Sequence, residues 1–140
     1  MTERWEGLRW QASFTARGGP YRPVVDATTG PAAHGWALEV ARRLERAGHG
    51  VRLGQDEGEG ADGEPTVYDE LAVTVGAGHL SLAFFSGEVF WSVALSPDQC
   101  DAETAARAVR DVVAAVEPVT GYTLRTASLP TAARALLGRT

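Results

Sequence analysis

The chain has 140 residues, a formal net charge of −5, one cysteine and thirteen basic residues, which are all arginine. A chain of this length buries about two thirds of its unfolded surface, so it needs neither a disulfide framework nor a metal, and we expect one domain over residues 1–140. The lone cysteine, the absence of a signal peptide and the lack of a long apolar run predict a cytoplasmic protein without a membrane span. An arginine-only composition is typical of a GC-rich bacterial genome.

The charge is unevenly distributed along the chain. Residues 53–106 contain eleven acidic residues and no arginine, whereas the segments before and after them each carry a net charge of +3. Such a segment repels phosphates, which argues against a nucleic-acid partner for this surface and favours a basic protein partner. The alternative is that the acidic residues only keep a hydrophobic sheet soluble.

The N-terminal part of the chain predicts strands. Residues 8–16 alternate between apolar and polar side chains, which is the period of a strand. Residues 17–20 form a turn. Residues 21–26 then return as a short edge strand, because Pro23 is tolerated only at an edge or a bulge.

A helix follows, with Thr28 or Thr29 as its cap. It runs to about Ala47 and ends at Gly48, and residues 51–53 begin a short strand. Apolar residues recur at helical spacing, so one side of the helix faces a core: Ala33, Trp36 or Ala37, Val40, Leu44 and Ala47.

The segment at about 54–66 has no apolar period, and it contains four glycines. We therefore predict a mobile acidic loop here. A connection of this length is usually either functional or disordered. Its acidic residues are Asp56, Glu57, Glu59, Asp62 and Glu64.

Residues 71–95 predict a meander of three strands joined by two tight turns. One face of these strands is strongly apolar and must be covered: Leu71, Val73, Val75, Leu80, Leu82, Phe84, Val89, Trp91, Val93 and Leu95. The opposite face is small and mildly polar, apart from Phe85 and Phe90. These two rings either form an exposed patch for a partner or are covered by the N-terminal segment or the C-terminal tail.

The C-terminal part predicts a second helix with Asp101 as its N-cap and with Pro118 as its end. Its apolar side consists of Ala105, Val109, Val112 and Val116. Residues 122–126 form a closing strand, and residues 130–137 form a short helix.

This order of elements predicts an α+β fold. Two amphipathic helices would pack on one face of a largely antiparallel sheet with the meander 71–95 at its centre. A ferredoxin-like or related two-layer sandwich is the specific expectation.

Catalytic motifs are weak or absent. Residues 58–63 match the letters of a dinucleotide-binding fingerprint, but no helix follows them. His34, His49 and His79 are expected at the surface, and none has ligand spacing with another histidine or with Cys100. Cys100 precedes a helix N-terminus, where its pKa could be lowered, but it has no histidine partner in the sequence. We therefore expect no catalytic residue, no metal and no cofactor.

The acidic middle segment leads to the first functional hypothesis, a non-catalytic, cytoplasmic protein-binding module. An immunity-type inhibitor or an accessory protein that engages a basic protein surface fits the size, the acidity and the lack of catalytic motifs. Neither nucleic acid nor a membrane is expected as a partner. The residues assigned to the contact are Asp56, Glu57, Glu59, Asp62, Glu64, Asp69, Glu70, Phe85 and Phe90.

Two other classes of protein remain open. A small enzyme or small-molecule binder would have a pocket between the sheet and the helices, lined by Trp36, Trp91 and Tyr122. A structural subunit would pair with its own copy through an exposed sheet edge and form a homodimer.

Overall fold

The computed structural model of the protein describes residues 5–16, 29–59, 63, 65–85 and 88–138. Within them the chain forms six strands, three α-helices and one short 3-10 helix. In chain order these are β1 (Leu8–Ala16), α1 (Thr29–Arg46), β2 (Val51–Glu59), β3 (Pro65–Val75), β4 (Gly78–Phe85), β5 (Glu88–Leu95), α2 (Ala102–Thr120), β6 (Tyr122–Leu124), the 3-10 helix (Thr126–Ser128) and α3 (Thr131–Leu136).

The six strands lie in one antiparallel sheet of order β2-β3-β4-β5-β1-β6. Strands β2 to β5 follow one another in both sequence and space, as expected for a meander. β1 lies on the far side of β5, in a register that places Leu8 opposite Leu95 and Phe14 opposite Val89. The α+β class with helices packed on the sheet is confirmed, whereas a ferredoxin-like arrangement is not confirmed.

The core lies between one face of the sheet and the pair of helices α1 and α2, which contact each other. Every residue of the apolar face predicted for the meander is buried, and Trp10, Ala12 and Phe14 of β1 continue that face. Burying each valine, leucine or phenylalanine side chain stabilises the fold by roughly 1.5–3 kcal/mol, so this layer holds the helices on the sheet. The helices cover it with Ala37, Val40, Leu44, Val109, Val112 and Val116.

Helix α2 begins and ends with capping interactions. The carboxylate of Asp101 accepts a hydrogen bond from the backbone N–H of Thr104 at 2.7 Å, which confirms the predicted N-cap. The expectation that Pro118 ends the helix is wrong, because α2 continues to Thr120. Proline lacks the N–H that would bond the carbonyl four residues earlier, and its ring crowds that carbonyl, but only two helical residues follow Pro118, so little of the helix depends on this position. The helix ends where Gly121 adopts a φ of +73° and its N–H donates to the Glu117 carbonyl.

The acidic segment differs most from its prediction. The prediction of a loop over residues 54–66 is wrong in two places. Residues 54–59 continue β2, and residues 65–66 begin β3. The two strands form a ladder in which Gly54 lies opposite Glu70 and Asp56 opposite Tyr68. Four successive residues, 54–57, are exposed, so this part of β2 buries neither face. Without a buried face there is no apolar alternation for sequence reasoning to detect.

The remaining predictions have mixed outcomes. β1 and α1 have the expected bounds to within two residues. The closing strand is only three residues long and passes into the 3-10 helix, while α3 lies within the predicted 130–137. The turn at 17–20 and the edge strand at 21–26 lie outside the described residues.

The turn between β3 and β4 packs against the segment that precedes α2. Gly76 has a φ of +60°, and a Cβ atom placed on it would overlap the carbonyl oxygen of Gln99. The next residue, Ala77, donates its N–H to the same oxygen at 2.7 Å. Only glycine combines this backbone conformation with such a close approach, so the turn holds the β5–α2 connection against the sheet.

Candidate functional site

The face of β1 to β5 opposite the helices, here called the uncovered face, carries no helix in the described part of the chain. Most residues at its centre have small side chains: Gly54, Ala72, Ser81, Ala83, Ser92 and Ala94. Small side chains leave the surface shallow, so another molecule can approach the strands closely.

Three aromatic rings, here called the aromatic patch, interrupt this shallow surface. Tyr68 of β3 and Phe85 of β4 stack with ring centroids 4.7 Å apart and planes inclined by 30°. Phe90 of β5 lies opposite Ala83 and is 39% exposed. An exposed phenylalanine beside two stacked rings is an apolar surface that water solvates poorly.

The described termini do not cover the aromatic patch. β1 lies beside β5 within the sheet, and Ala133 of α3 belongs to the core beneath the helices. Of the two interpretations offered for Phe85 and Phe90, exposure therefore fits the described residues.

Three carboxylates surround the aromatic patch: Asp56 of β2, Glu70 of β3 and Glu88 of β5. Asp56 accepts a hydrogen bond from the Tyr68 hydroxyl at 3.5 Å, and Glu88 accepts one from the Ser13 hydroxyl at 2.8 Å. Among the described residues none of the three carboxylates forms an ion pair. Their negative charge is therefore available to a cation from outside.

The ionisation of Tyr68 reflects these neighbours. Burial raises the pKa of Tyr68, and the charges of Asp56 and Glu70 raise that pKa further. The phenol consequently stays protonated well into the alkaline range and acts as a hydrogen-bond donor. Tyr68 and Glu88 are members of the site that were not predicted, because the strand register that brings them to Phe85 and Asp56 cannot be read from the chain.

The other predicted partner-binding residues do not share this surface. Asp69 is only 3% exposed and lies on the core side of β3, where its carboxylate accepts a hydrogen bond from the Gln55 amide at 3.2 Å. Its assignment as a surface contact is therefore wrong. Glu57 is exposed but points to the opposite face of β2 from Asp56. The side chain of Glu59 is outside the described part, as are Asp62 and Glu64.

A shallow depression of about 310 Å³ adjoins the aromatic patch on the uncovered face. It exists because Gly54 and Ala72 have almost no side chain. Arg52 and His79 lie on its rim together with Glu70, which also borders the aromatic patch. The depression thus extends the site from the carboxylates toward a cationic end.

The predicted pocket residues fill space rather than enclose it. The ring of Trp91 is fully buried, with its centroid 5.4 Å from that of Trp10 and 5.7 Å from that of Phe14. Trp36 and Tyr122 pack edge to face elsewhere, with centroids 5.2 Å apart. The structure therefore does not bring the three predicted residues together.

A cavity of about 410 Å³ lies where the connection between α1 and β2, the end of β3 and the start of α2 meet. His49 lines it, and its Nε2 lies 2.7 Å from Oδ2 of Asp111 on α2. Arg107 donates to the Ala47 carbonyl at 2.7 Å and lies 3.7 Å from the same Asp111 oxygen. The expectation that His49 is a surface residue is wrong, since its side chain is only 11% exposed. Among the described residues that line this cavity, the side-chain hydroxyl groups belong to Thr74 and Thr104.

Cys100 behaves as a structural residue. Burial raises the pKa of its thiol, and the neighbouring charge of Asp101 raises it further, so the suggested activation at a helix N-terminus is wrong. The carbonyl of Cys100 accepts a hydrogen bond from the Trp5 indole at 2.9 Å. His79 lies on the uncovered face, while the His34 side chain is outside the description. The described residues contain no group of three or more metal-ligating side chains.

No helix among the described residues is both long and apolar enough to cross a bilayer. Comparison of the chain with protein-family models, with curated proteins and with solved structures finds no match.

Proposed function

We propose that this protein is a non-catalytic binding module that engages a basic surface of another protein through the aromatic patch and its carboxylates. The observation that carries the proposal is the coincidence of an exposed aromatic group with Asp56, Glu70 and Glu88, none of which forms an ion pair with a described residue.

The chemistry of the patch suits arginine in particular. A guanidinium group stacks on an aromatic ring and binds a carboxylate with two parallel hydrogen bonds. Phe85 lies opposite Glu88, and Phe90 follows Glu88 by two residues on the same face of β5, so one arginine side chain can contact a ring and this carboxylate together. Charge-assisted hydrogen bonds of this kind are stronger than neutral ones.

An immunity-type inhibitor or an accessory protein is the concrete form that we favour. Such a protein must hold a fixed, complementary surface and needs no chemistry of its own. The acidity of residues 53–106 supports fast, electrostatically guided association with a basic partner. A cytoplasmic location is part of this proposal and agrees with the single, half-buried Cys100.

The experiment is affinity capture from a lysate of the native host with wild type, Glu70→Arg and Glu45→Arg as baits. Glu45 is exposed on α1, away from the uncovered face, and its reversal changes the net charge by the same amount. We expect a basic protein that wild type and Glu45→Arg both capture, that Glu70→Arg loses and that high salt releases. Equal capture by all three baits would contradict the proposal.

The cavity beside His49 favours a second function, binding of a small molecule. Its volume of about 410 Å³ lies within the range of ligand pockets. His49 and Arg107 on its wall already contact Asp111, which leaves these two groups less available to a ligand. A thermal shift with a metabolite collection that His49→Ala abolishes would support this function, and the absence of any shift would count against it.

A further inference from the structure

Among the described residues, strand β2 forms a long edge of the sheet. Within that part of the chain it pairs only with β3, whereas the strand at the other edge, β6, has three residues. β2 spans nine residues, and residues 54–57 are exposed on both faces. An edge of this kind presents unpaired backbone N–H and C=O groups to which another extended chain can hydrogen-bond.

Two glycines leave this edge unshielded. Gly54 and Gly58 both point to the uncovered face, on either side of Asp56. At Gly54 a Cβ atom would meet nothing within 4 Å, and the residue does not have a positive φ, so the fold itself does not require glycine there. Glycine weakens a strand, but it also permits another backbone to approach closely.

The charge of β2 defines what it can pair with. Asp56 and Glu57 stand side by side and point to opposite faces, and Arg52 is the only basic residue of the strand. A chain lying alongside would have a carboxylate near each of its faces, which favours basic side chains on both. With three acids and one arginine, two copies of β2 would carry a net charge of −2 each and repel one another.

We infer that an extended, basic segment of the partner adds to β2 as a further strand of the sheet. This inference rests on the proposed function and deepens it, because the added strand would continue the same surface. Those of its side chains that point to the uncovered face would lie beside Asp56, next to Tyr68 and the rest of the aromatic patch. The backbone bonds would provide affinity, and the carboxylates would select basic side chains.

The test uses a capped peptide of about six residues, the usual length of a strand, built from arginine and valine. Two further versions carry N-methyl groups, one on every second amide and the other on every amide. Because a strand directs successive N–H groups to opposite edges, the first version keeps one intact edge that can face β2, whereas the second keeps none. Fluorescence anisotropy at low salt measures binding to the full chain, with Glu45→Arg and Glu70→Arg as protein variants.

We expect one methylated peptide to bind like the parent and the other to bind at least about tenfold more weakly, a difference of about 1.4 kcal/mol. Hydrogen exchange should show new protection at alternate amides of β2 when the parent peptide binds. Equal binding of the two methylated peptides, or no binding of any peptide, would overturn strand addition.

If both bind equally and Glu70→Arg weakens both, the proposed surface stands and only strand addition fails. If Glu70→Arg changes nothing while the two peptides differ, strand addition stands and the aromatic patch loses its assigned role.

Discussion

Two clusters of charged side chains differ in how their charges are satisfied. Beside the cavity, His49 contacts Asp111, and Arg107 holds both Asp111 and the Ala47 carbonyl. Around the aromatic patch, Asp56 accepts hydrogen bonds from the Tyr68 hydroxyl and the Glu57 N–H, and Glu88 accepts one from the Ser13 hydroxyl. Neither these two carboxylates nor Glu70 forms an ion pair with a described residue. Charges satisfied within the fold hold its elements together, whereas charges left to solvent can be satisfied by a partner. We therefore assign the first cluster to stability and the second to binding.

The largest expected effect is on partner binding. The double variant Phe90→Ser/Glu70→Arg should lower affinity for a captured partner by about 100-fold, because it removes an exposed ring and reverses a charge at the centre of the contact. Its free energy of unfolding should fall by about 1 kcal/mol, since neither side chain belongs to the core but Phe90 is only 39% exposed. Calorimetric titration and urea unfolding measure the two quantities. Strong binding by this variant would show that the aromatic patch does not bind the partner.

The cluster of His49, Arg107 and Asp111 should show the opposite pattern, a loss of stability without a loss of affinity. His49→Ala should lower the free energy of unfolding by about 1–3 kcal/mol, because it leaves the half-buried carboxylate of Asp111 without its hydrogen bond. Affinity for the partner should not change. Urea unfolding checks the first expectation, with the exposed Glu45→Ala as a control that stays near wild type. A loss of binding without a loss of stability would place the cavity in the functional site.

A third variant should separate stability from binding at a single residue. Gly54→Val should raise the free energy of unfolding by about 0.5–1 kcal/mol, because valine suits a strand and has open space here. It should also weaken partner binding, since its side chain fills the depression beside Glu70. Gain of stability with unchanged affinity would show that the partner does not approach this edge.

The smallest expected effect is on the pKa of Tyr68, which lies beside the carboxylates. Because the charge of Glu70 contributes to the raised pKa of Tyr68, Glu70→Gln should lower that pKa toward the ordinary value of tyrosine. Glu88→Gln should leave it unchanged, since Glu88 is not among its causes. Alkaline ultraviolet titration against a Tyr68→Phe reference measures the shift. An unchanged pKa in Glu70→Gln would mean that the carboxylate lies farther from the ring in solution.

The sequence predicted those elements that have one buried face. β1, the meander and both long helices show an apolar period because burial selects alternate or every third to fourth residue. The outer half of β2 has no buried face and was mistaken for a loop. Pro118 was read as a helix end because proline usually breaks helices, yet its place near the end of α2 removes little hydrogen bonding.

The site was predictable only in part. Asp56, Glu70, Phe85 and Phe90 were named from their charge and their position around turns. Their assembly with Tyr68 depends on strand register, which side-chain patterns leave open where a face is not buried. The contact between His49 and Asp111 joins residues that are 62 positions apart, so no local pattern could indicate it.

The tryptophans have a practical consequence for spectroscopy. All four lie on the helix side or at the end of the sheet: Trp10 and Trp91 in the core, Trp36 on α1, and Trp5 beside Cys100. Among the described residues, the rings on the uncovered face belong to Tyr68, Phe85, Phe90 and His79, and none of them is an indole. Intrinsic indole emission should therefore shift when the core opens and stay constant when a molecule docks on the other side. Unfolding and association can thus be followed separately in one unlabelled sample.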